Sequence, residues 1–215
     1  PGSRLKRLSH VSGLLQGAFE RNSTLHGRFK VIKAAVHHLT ADGVHKRIGY
    51  VRLFDSPEGL LLEPDLEDLP PGKHGFHIHE FGDVEPALKK GKYVAGGSAG
   101  GHYDPEHTGE HLGPYQEGHL GDLPVLVVDN DGTATTPVIA PRLTLEEVKG
   151  RALILHSGGD NYSDYPLVNG GGISRIAGGI ITNDCPYCRD ATLLSLGKWV
   201  AVGAVAWWLL KPPKS

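Results

Sequence analysis

Residues 74–122 read HGFHIHEFGDVEPALKKGKYVAGGSAGGHYDPEHTGEHLGPYQEGHLGD, and this stretch decides the fold. His77 and His79 are two apart. On a strand, alternate side chains share a face, so both imidazoles point the same way. His102, His111, His119 and Asp122 follow in a Gly/Pro-rich run with little hydrophobic period, which reads as one long loop. Loops of that length are uncommon in a compact domain unless they are functional or held by something. Three imidazoles and a carboxylate would hold it. That donor set suits zinc, and the paired histidines suit copper or zinc.

Outward from this stretch the pattern is one of short strands and frequent turns. Phe29 to Lys33 and Val36 to Thr40 alternate loosely, then Ala41-Asp42-Gly43 turns the chain. Ile48 to Phe54 alternates again and ends at Ser56-Pro57-Glu58-Gly59. Leu60 to Leu62 follows, then a turn at Leu69-Pro70-Pro71-Gly72 and the strand His74 to Glu80. Val125 to Val128 ends at Asp129-Asn130-Asp131-Gly132, a hairpin-type signal, and Thr133 to Ile139 is a further strand. Leu143 to Val148 reads as a short helix. Ala152 to His156 leads into a second Gly-rich loop over residues 157–174, and Ala177 to Thr182 closes the set. Short strands with repeated turn signals predict an antiparallel sandwich or barrel.

Composition agrees. The 215 residues suit one domain with appendages, and the 30 glycines and 13 histidines suit a loop-rich β protein that binds metal. A formal charge of −2 excludes a broad nucleic-acid footprint. Cys185 and Cys188 are close neighbours near the C-terminus, so no disulfide can join distant parts of the body. No methionine occurs, so the initiator is expected to have been trimmed before Pro1 or lost with a processed leader.

The two ends differ from the middle. Leu5, Leu8, Val11, Leu15 and Phe19 form a helical stripe among Arg4, Lys6, Arg7 and Arg21, which reads as a basic amphipathic arm or a tail that packs or frays. Residues 191–210 are apolar apart from Thr192, Ser195 and Lys198, and end in Trp207-Trp208 before Lys211. About 20 helical residues cross a bilayer core, and tryptophans favour its interface, so a C-terminal transmembrane anchor is expected. The lysines of the short tail then put the C-terminus in the cytosol or matrix and the histidine-rich body on the other side.

Seven segments in order, HGFHIHE, SAGGHYDP, HTGEHLGP, GHLGDLP, APRL, HSGGDNYSD and GGGISRIAGG, resemble the copper/zinc superoxide dismutases, most closely their bacterial periplasmic branch. The resemblance covers about Phe29 to Ile181. It implies an all-β fold, an eight-stranded Greek-key barrel (an immunoglobulin-like sandwich) with long metal-binding loops. By the same resemblance His77, His79 and His156 are copper ligands, and His102 bridges copper and zinc. His111, His119 and Asp122 complete the zinc site. Arg175 is the channel arginine, catalytic together with His102. Asp160 is the carboxylate linking a copper-ligand ring to a zinc-ligand ring. The family's disulfide positions fall on Val84 and Gly178, so that bridge is missing, a loss of about 2–5 kcal/mol in a small secreted domain.

The expected organisation is an arm over 1–26, a dismutase-like barrel over 27–183, a linker with Cys185-Pro186-Tyr187-Cys188 over 184–190, the anchor over 191–210 and a tail over 211–215. The expected function is a membrane-anchored antioxidant enzyme that dismutates superoxide with copper and zinc as cofactors. It would sit on the non-cytosolic side of its membrane: periplasm, cell exterior or mitochondrial intermembrane space. Cys185 and Cys188 would form a local disulfide or a structural turn. The alternative is an accessory subunit of a larger membrane complex with weak or no activity. A third reading makes the two cysteines a copper donor. Expected partners are superoxide, the membrane, and either a second copy or the other subunits of a complex; nucleic acid is not among them.

Overall fold

The structure, a computed structural model, describes residues 30–182. The arm read over 1–26, the cysteine linker and the apolar run 191–210 lie outside the described residues. Among the described residues no helix is long and apolar enough to cross a membrane.

Eleven strands follow in chain order: β1 (Ile32–Thr40), β2 (Gly43–Ser56), β3 (Gly59–Leu66), β4 (Gly72–His74), β5 (Phe76–His79), β6 (Ala87–Lys89), β7 (Lys92–Val94), β8 (Leu126–Val128), β9 (Val138–Ala140), β10 (Ala152–His156) and β11 (Arg175–Thr182). One short helix, α1 (Leu145–Val148), stands where the sequence predicts it, its first turn held by the Glu147 carboxylate on the Thr144 N–H and by Asp55 on the Leu145 N–H. Seven strands form one antiparallel sheet in the order β5-β10-β11-β1-β2-β3-β9, and β4 pairs with β8. Gly75 interrupts a single extended run, so that β4 faces β8 while β5 faces β10. With β4–β5 counted as one strand and the β6–β7 hairpin set aside, the expected eight strands are present, with Greek-key crossovers in a curled, half-barrel sheet.

Ile32, Ala34 and Val36 point inward at the strand period of two. A register shift on either side of His37 then changes the phase, and Leu39 is the next buried residue. Such a bulge re-aims the side chains beyond it. Here it delivers Leu39 to a second, smaller apolar cluster with Val84, Ala99, Ala152 and Ile154. The main core holds Ile48, Val51, Leu53, Leu62, Phe76, Ile78, Leu126 and Leu153 among others.

The small cluster occupies the ground of the missing disulfide. Val84 is buried within it. A Cβ on Gly178 would lie 2.7 Å from Ile154 Cδ1 and 3.0 Å from Leu39 Cδ1. Apolar packing ties the loop after β5 to β10 and β1 where the resemblance implies a covalent bond.

Three elements depart from the sequence reading. Strand β1 is one run across the two pieces read at 29–33 and 36–40, because the bulge masks its alternation. Strand β9 is confined to Val138–Ala140 within the longer run read from Thr133. The hairpin β6–β7 lies inside what reads as loop, turning at Lys90 (φ 50°) and Gly91 (φ 78°). Its strands are only three residues long and mostly exposed, too short to leave a period.

Candidate metal centre

All four residues of β5 are buried, which requires cover on both faces. Phe76 and Ile78 enter the main core, so His77 and His79 face away from it. Strand β10 runs along one edge, with Ile154 opposite His77 and Ala152 opposite His79. The long loop returns along the other edge. Asp122 bridges to His77 and His102 bridges to His79, each as an isolated antiparallel contact. Backbone bonds fasten it: Tyr103 N–H to Ile78 O at 2.9 Å, Ile78 N–H to Gly121 O at 2.8 Å and Glu80 N–H to Gly101 O at 3.1 Å. The long loop is thus pinned to β5 at the residues that carry the chemistry.

Two groups of donor atoms result, each within 4.8 Å internally. One holds His77, His79, His102 and His156; the other holds His77, His102, His111 and Asp122. Every member is buried, at 0–7 % exposure. His77 and His102 stack with ring centroids 4.0 Å apart, and His79 meets His102 edge-on at 5.1 Å. His119 stands at the edge of the second group, half-buried, with Nδ1 3.6 Å from Asp122 Oδ1.

These residues fit metal ions by what their nitrogens lack. Buried polar atoms are almost always hydrogen-bonded. Yet His77 Nδ1, His79 Nε2, His111 Nδ1, His119 Nδ1 and both nitrogens of His156 are buried without a hydrogen-bond partner. His111 Nδ1 lies 3.0 Å from Asp122 Oδ2 but out of line for a hydrogen bond, an arrangement that suits two ligands of one ion. On several rings the second nitrogen is occupied. His77 Nε2 and His111 Nε2 sit 2.7 and 2.8 Å from the two oxygens of Asp160. His79 Nδ1 reaches Gly100 O at 3.2 Å. Each of these bonds places the ring proton on the outer nitrogen and leaves the inner one a lone-pair donor, the usual support for a metal-bound imidazole.

The electrostatics agree. Burial, then the charges of His102 and Arg175, hold His79 well below the usual imidazole range. Burial and His77 push His102 down to about 3 and His156 to about 2, so these rings remain neutral ligands. Burial also pushes His111 down, but the carboxylates of Asp122 beside it and of Asp160 bonded to it outweigh that and raise it to about 9. The imidazoles of His102, His111 and His119 gathered round Asp122 overcome its burial and keep it ionised.

Arg175 opens β11 opposite His156. Its guanidinium donates to the carbonyls of Gly96 and Gly100, which fixes the side chain, and burial lowers its pKa from the ordinary arginine value. Arginine remains charged through such a shift. On β6, burial and the Arg175 charge press the Lys89 ammonium below its usual range, which brings a second cation to this side of the site.

Several participants carry no sequence signal. His74 reads as a surface or hydrogen-bonding residue; it is buried, with Nε2 2.7 Å from Pro70 O and Nδ1 2.8 Å from His156 O. Asp164 accepts the backbone N–H of His111 at 2.9 Å and of Asn169 at 2.9 Å. Gly170, at φ 69°, closes over the Asp160 link: a Cβ there would lie 2.0 Å from Asp160 Oδ1. His37, His38, His45 and His107 stand outside both donor groups, as their spacing suggests; His26 lies outside the described residues.

Comparison with known proteins follows the same line. The profile of the copper/zinc superoxide dismutase family matches residues 48–181. The chain belongs to the copper/zinc superoxide dismutase family. Superoxide dismutase [Cu-Zn] 2 of Salmonella typhimurium is 55% identical over 150 residues, covering 69% of this chain and 87% of that protein. The Cu/Zn superoxide dismutase structure from Brucella abortus is 45% identical with a TM-score of 0.69, covering 70% of this chain and 99% of that one. The monomeric enzyme of Salmonella enterica, solved in solution, is 55% identical with a TM-score of 0.64 over the same 70% and 99%. Copper and zinc are the cofactors of this family, and the two histidine groups are positioned for both.

Proposed function

We propose that the chain disproportionates superoxide, two O2•− and two protons giving O2 and H2O2. In this reading copper is held by His77, His79, His102 and His156, and zinc by His102, His111, His119 and Asp122. The observation that carries it is that the two donor groups share only His77 and His102, and since Asp160 occupies Nε2 of His77, His102 is the ring that can face two ions. When bound, copper supplies the one-electron redox couple and zinc a fixed positive charge with no redox chemistry of its own. The other steps belong to the chain. Arg175, held by two carbonyls, attracts the anion and orients it. Asp160 holds the outer protons of His77 and His111, which keeps their inner nitrogens aimed inward. With its copper-facing nitrogen released and protonated from solvent, the His102 ring would hand that proton to the second superoxide. The test is metal analysis of the purified protein together with pulse radiolysis. Full occupancy at both sites without dismutation rejects the proposal.

The same proposal extends to the ends of the chain. The apolar run 191–210 anchors the barrel of 27–183 in a membrane, with the basic arm 1–26 as a second contact and the metal-bearing body on the non-cytosolic side. Length, the Trp207-Trp208 pair and Lys211 support this. The Cys185-Cys188 pair forms a local disulfide in the linker. A chain ending at residue 183 should leave the membrane fraction in alkaline carbonate while the full chain stays. The missing disulfide speaks for the accessory-subunit alternative, and the apolar cluster of Leu39 and Val84 at that place supports the lone enzyme instead.

A further inference from the structure

Arg151 lies just before β10, outside every segment that carries the family resemblance, and none of the chemistry above uses it. Its guanidinium nonetheless makes three contacts. Nε donates to Glu147 O at 2.8 Å and Nη1 to Glu80 O at 2.7 Å. The guanidinium carbon Cζ lies over the Tyr103 ring, 3.6 Å from the centroid. The backbone behind it is fixed to β11, since Ile181 N–H donates to Arg151 O at 2.9 Å.

The partners matter because of their place in the chain. Glu80 follows His79, and Tyr103 follows His102. These two histidines face each other across an antiparallel bridge. Glu80 grips the near side of that bridge twice, through its N–H to Gly101 O at 3.1 Å and through its carboxylate from Gly101 N–H at 2.8 Å. Tyr103 closes the far side through its N–H to Ile78 O at 2.9 Å. Arg151 touches both Glu80 O and the Tyr103 ring. It therefore works as a clamp across the bridge.

We infer that Arg151 is a positioning residue: through Glu80 and Tyr103 it sets the angle between the His79 and His102 rings, and with it the coordination of the copper they share. This rests on the ligand assignment proposed above. A lysine would keep the charge but lose both the flat face and the fork that spans two partners. Partners one shell out from a metal ligand typically change affinity or activity by about 10–100-fold.

The test is the electron paramagnetic resonance spectrum of the copper- and zinc-loaded full chain, with a melting temperature for each variant. Arg151→Lys and Tyr103→Leu should both shift the copper hyperfine splitting and lower kcat/KM by about tenfold. Tyr103→Phe, which keeps the ring, should superpose on the unaltered protein. A role in stability alone would lower the melting temperature and leave the spectrum unmoved. Should Arg151→Lys fail to fold, Tyr103→Leu decides the matter alone. If the unaltered protein shows nitrogen-coupled copper and the variants superpose on it, the clamp is overturned and the ligand assignment stands. If the unaltered protein shows no nitrogen coupling, both are overturned.

Discussion

Asp160→Asn is the substitution that probes the centre most directly. The Asp160 side chain has no exposed surface, and its two oxygens serve two rings, His77 Nε2 at 2.7 Å and His111 Nε2 at 2.8 Å. Burial pushes its carboxyl up, but the hydrogen bonds from His111 and His77 outweigh this and hold it below the usual range. Asparagine fits the same space but presents one oxygen and one NH2. One ring then meets a donor with its own N–H. A lost bond to a charged acceptor costs about 1.5–3 kcal/mol. That ring can escape only by moving its proton to Nδ1, the nitrogen that otherwise faces the ion. At about 1.4 kcal/mol per tenfold, this amounts to a loss of about 10–100-fold in metal affinity. Because His77 is assigned to copper and His111 to zinc, the loss should appear in copper, in zinc, or divided between them, while the melting temperature of the metal-free chain moves less. Competition against a chelator of known affinity, run separately for each metal, reads this. Unchanged affinity for both metals would refute the tautomer argument.

Three further outcomes follow from the same geometry. Gly170→Ala puts a Cβ 2.0 Å from Asp160 Oδ1 at a φ of 69°, so it should displace Asp160 and reproduce the Asp160→Asn metal loss, read in the same competition assay. Leu39→Ala removes the centre of the small apolar cluster and should lower the stability of the metal-free chain by about 2–5 kcal/mol in urea unfolding. The stability of the metal-free chain should be domed with pH. His102 and His156 titrate near 3 and 2 when folded. Unfolded, they titrate near about 6.5, so below that pH the unfolded chain binds more protons and stability falls, by up to about 1.4 kcal/mol per pH unit per ring. His111, raised to about 9, acts in the opposite sense: its contribution is complete below its unfolded pKa and is lost as pH climbs to about 9. Loading with metal should abolish the alkaline limb, because His111 must then shed its proton. Equal melting profiles for loaded and metal-free protein between pH 6.5 and 9 would contradict this.

Residue spacing made much of the site legible. The two-residue step between His77 and His79 puts them on one face, and β5 bears this out because Phe76 and Ile78 are needed by the core. The meeting of His156 with that pair depends on β10 lying beside β5, a long-range pairing that no local pattern encodes. The family motifs supplied it. What stayed hidden acts through backbone carbonyls or through breaks in period. His74 works on Pro70 O and His156 O, and Arg151 on Glu80 O and Glu147 O; a carbonyl has no letter of its own in a sequence. The bulge at His37 hid the length of β1 for the opposite reason, since it moved Leu39 off the alternation that would have revealed it. Reading Val84 and Gly178 only as missing cysteines likewise left out the aliphatic packing around them.

In the β1–β11 pairing, Lys33 lies opposite Thr182, so the described chain begins and stops at neighbouring points of one seam. Force drawn between those two points would open that seam like a zipper, one rung at a time, and would not load its rungs together in shear. Force through a single end would leave the rungs unstressed. A tether at one terminus would be mechanically harmless to this barrel, and traction between both would peel it along this seam.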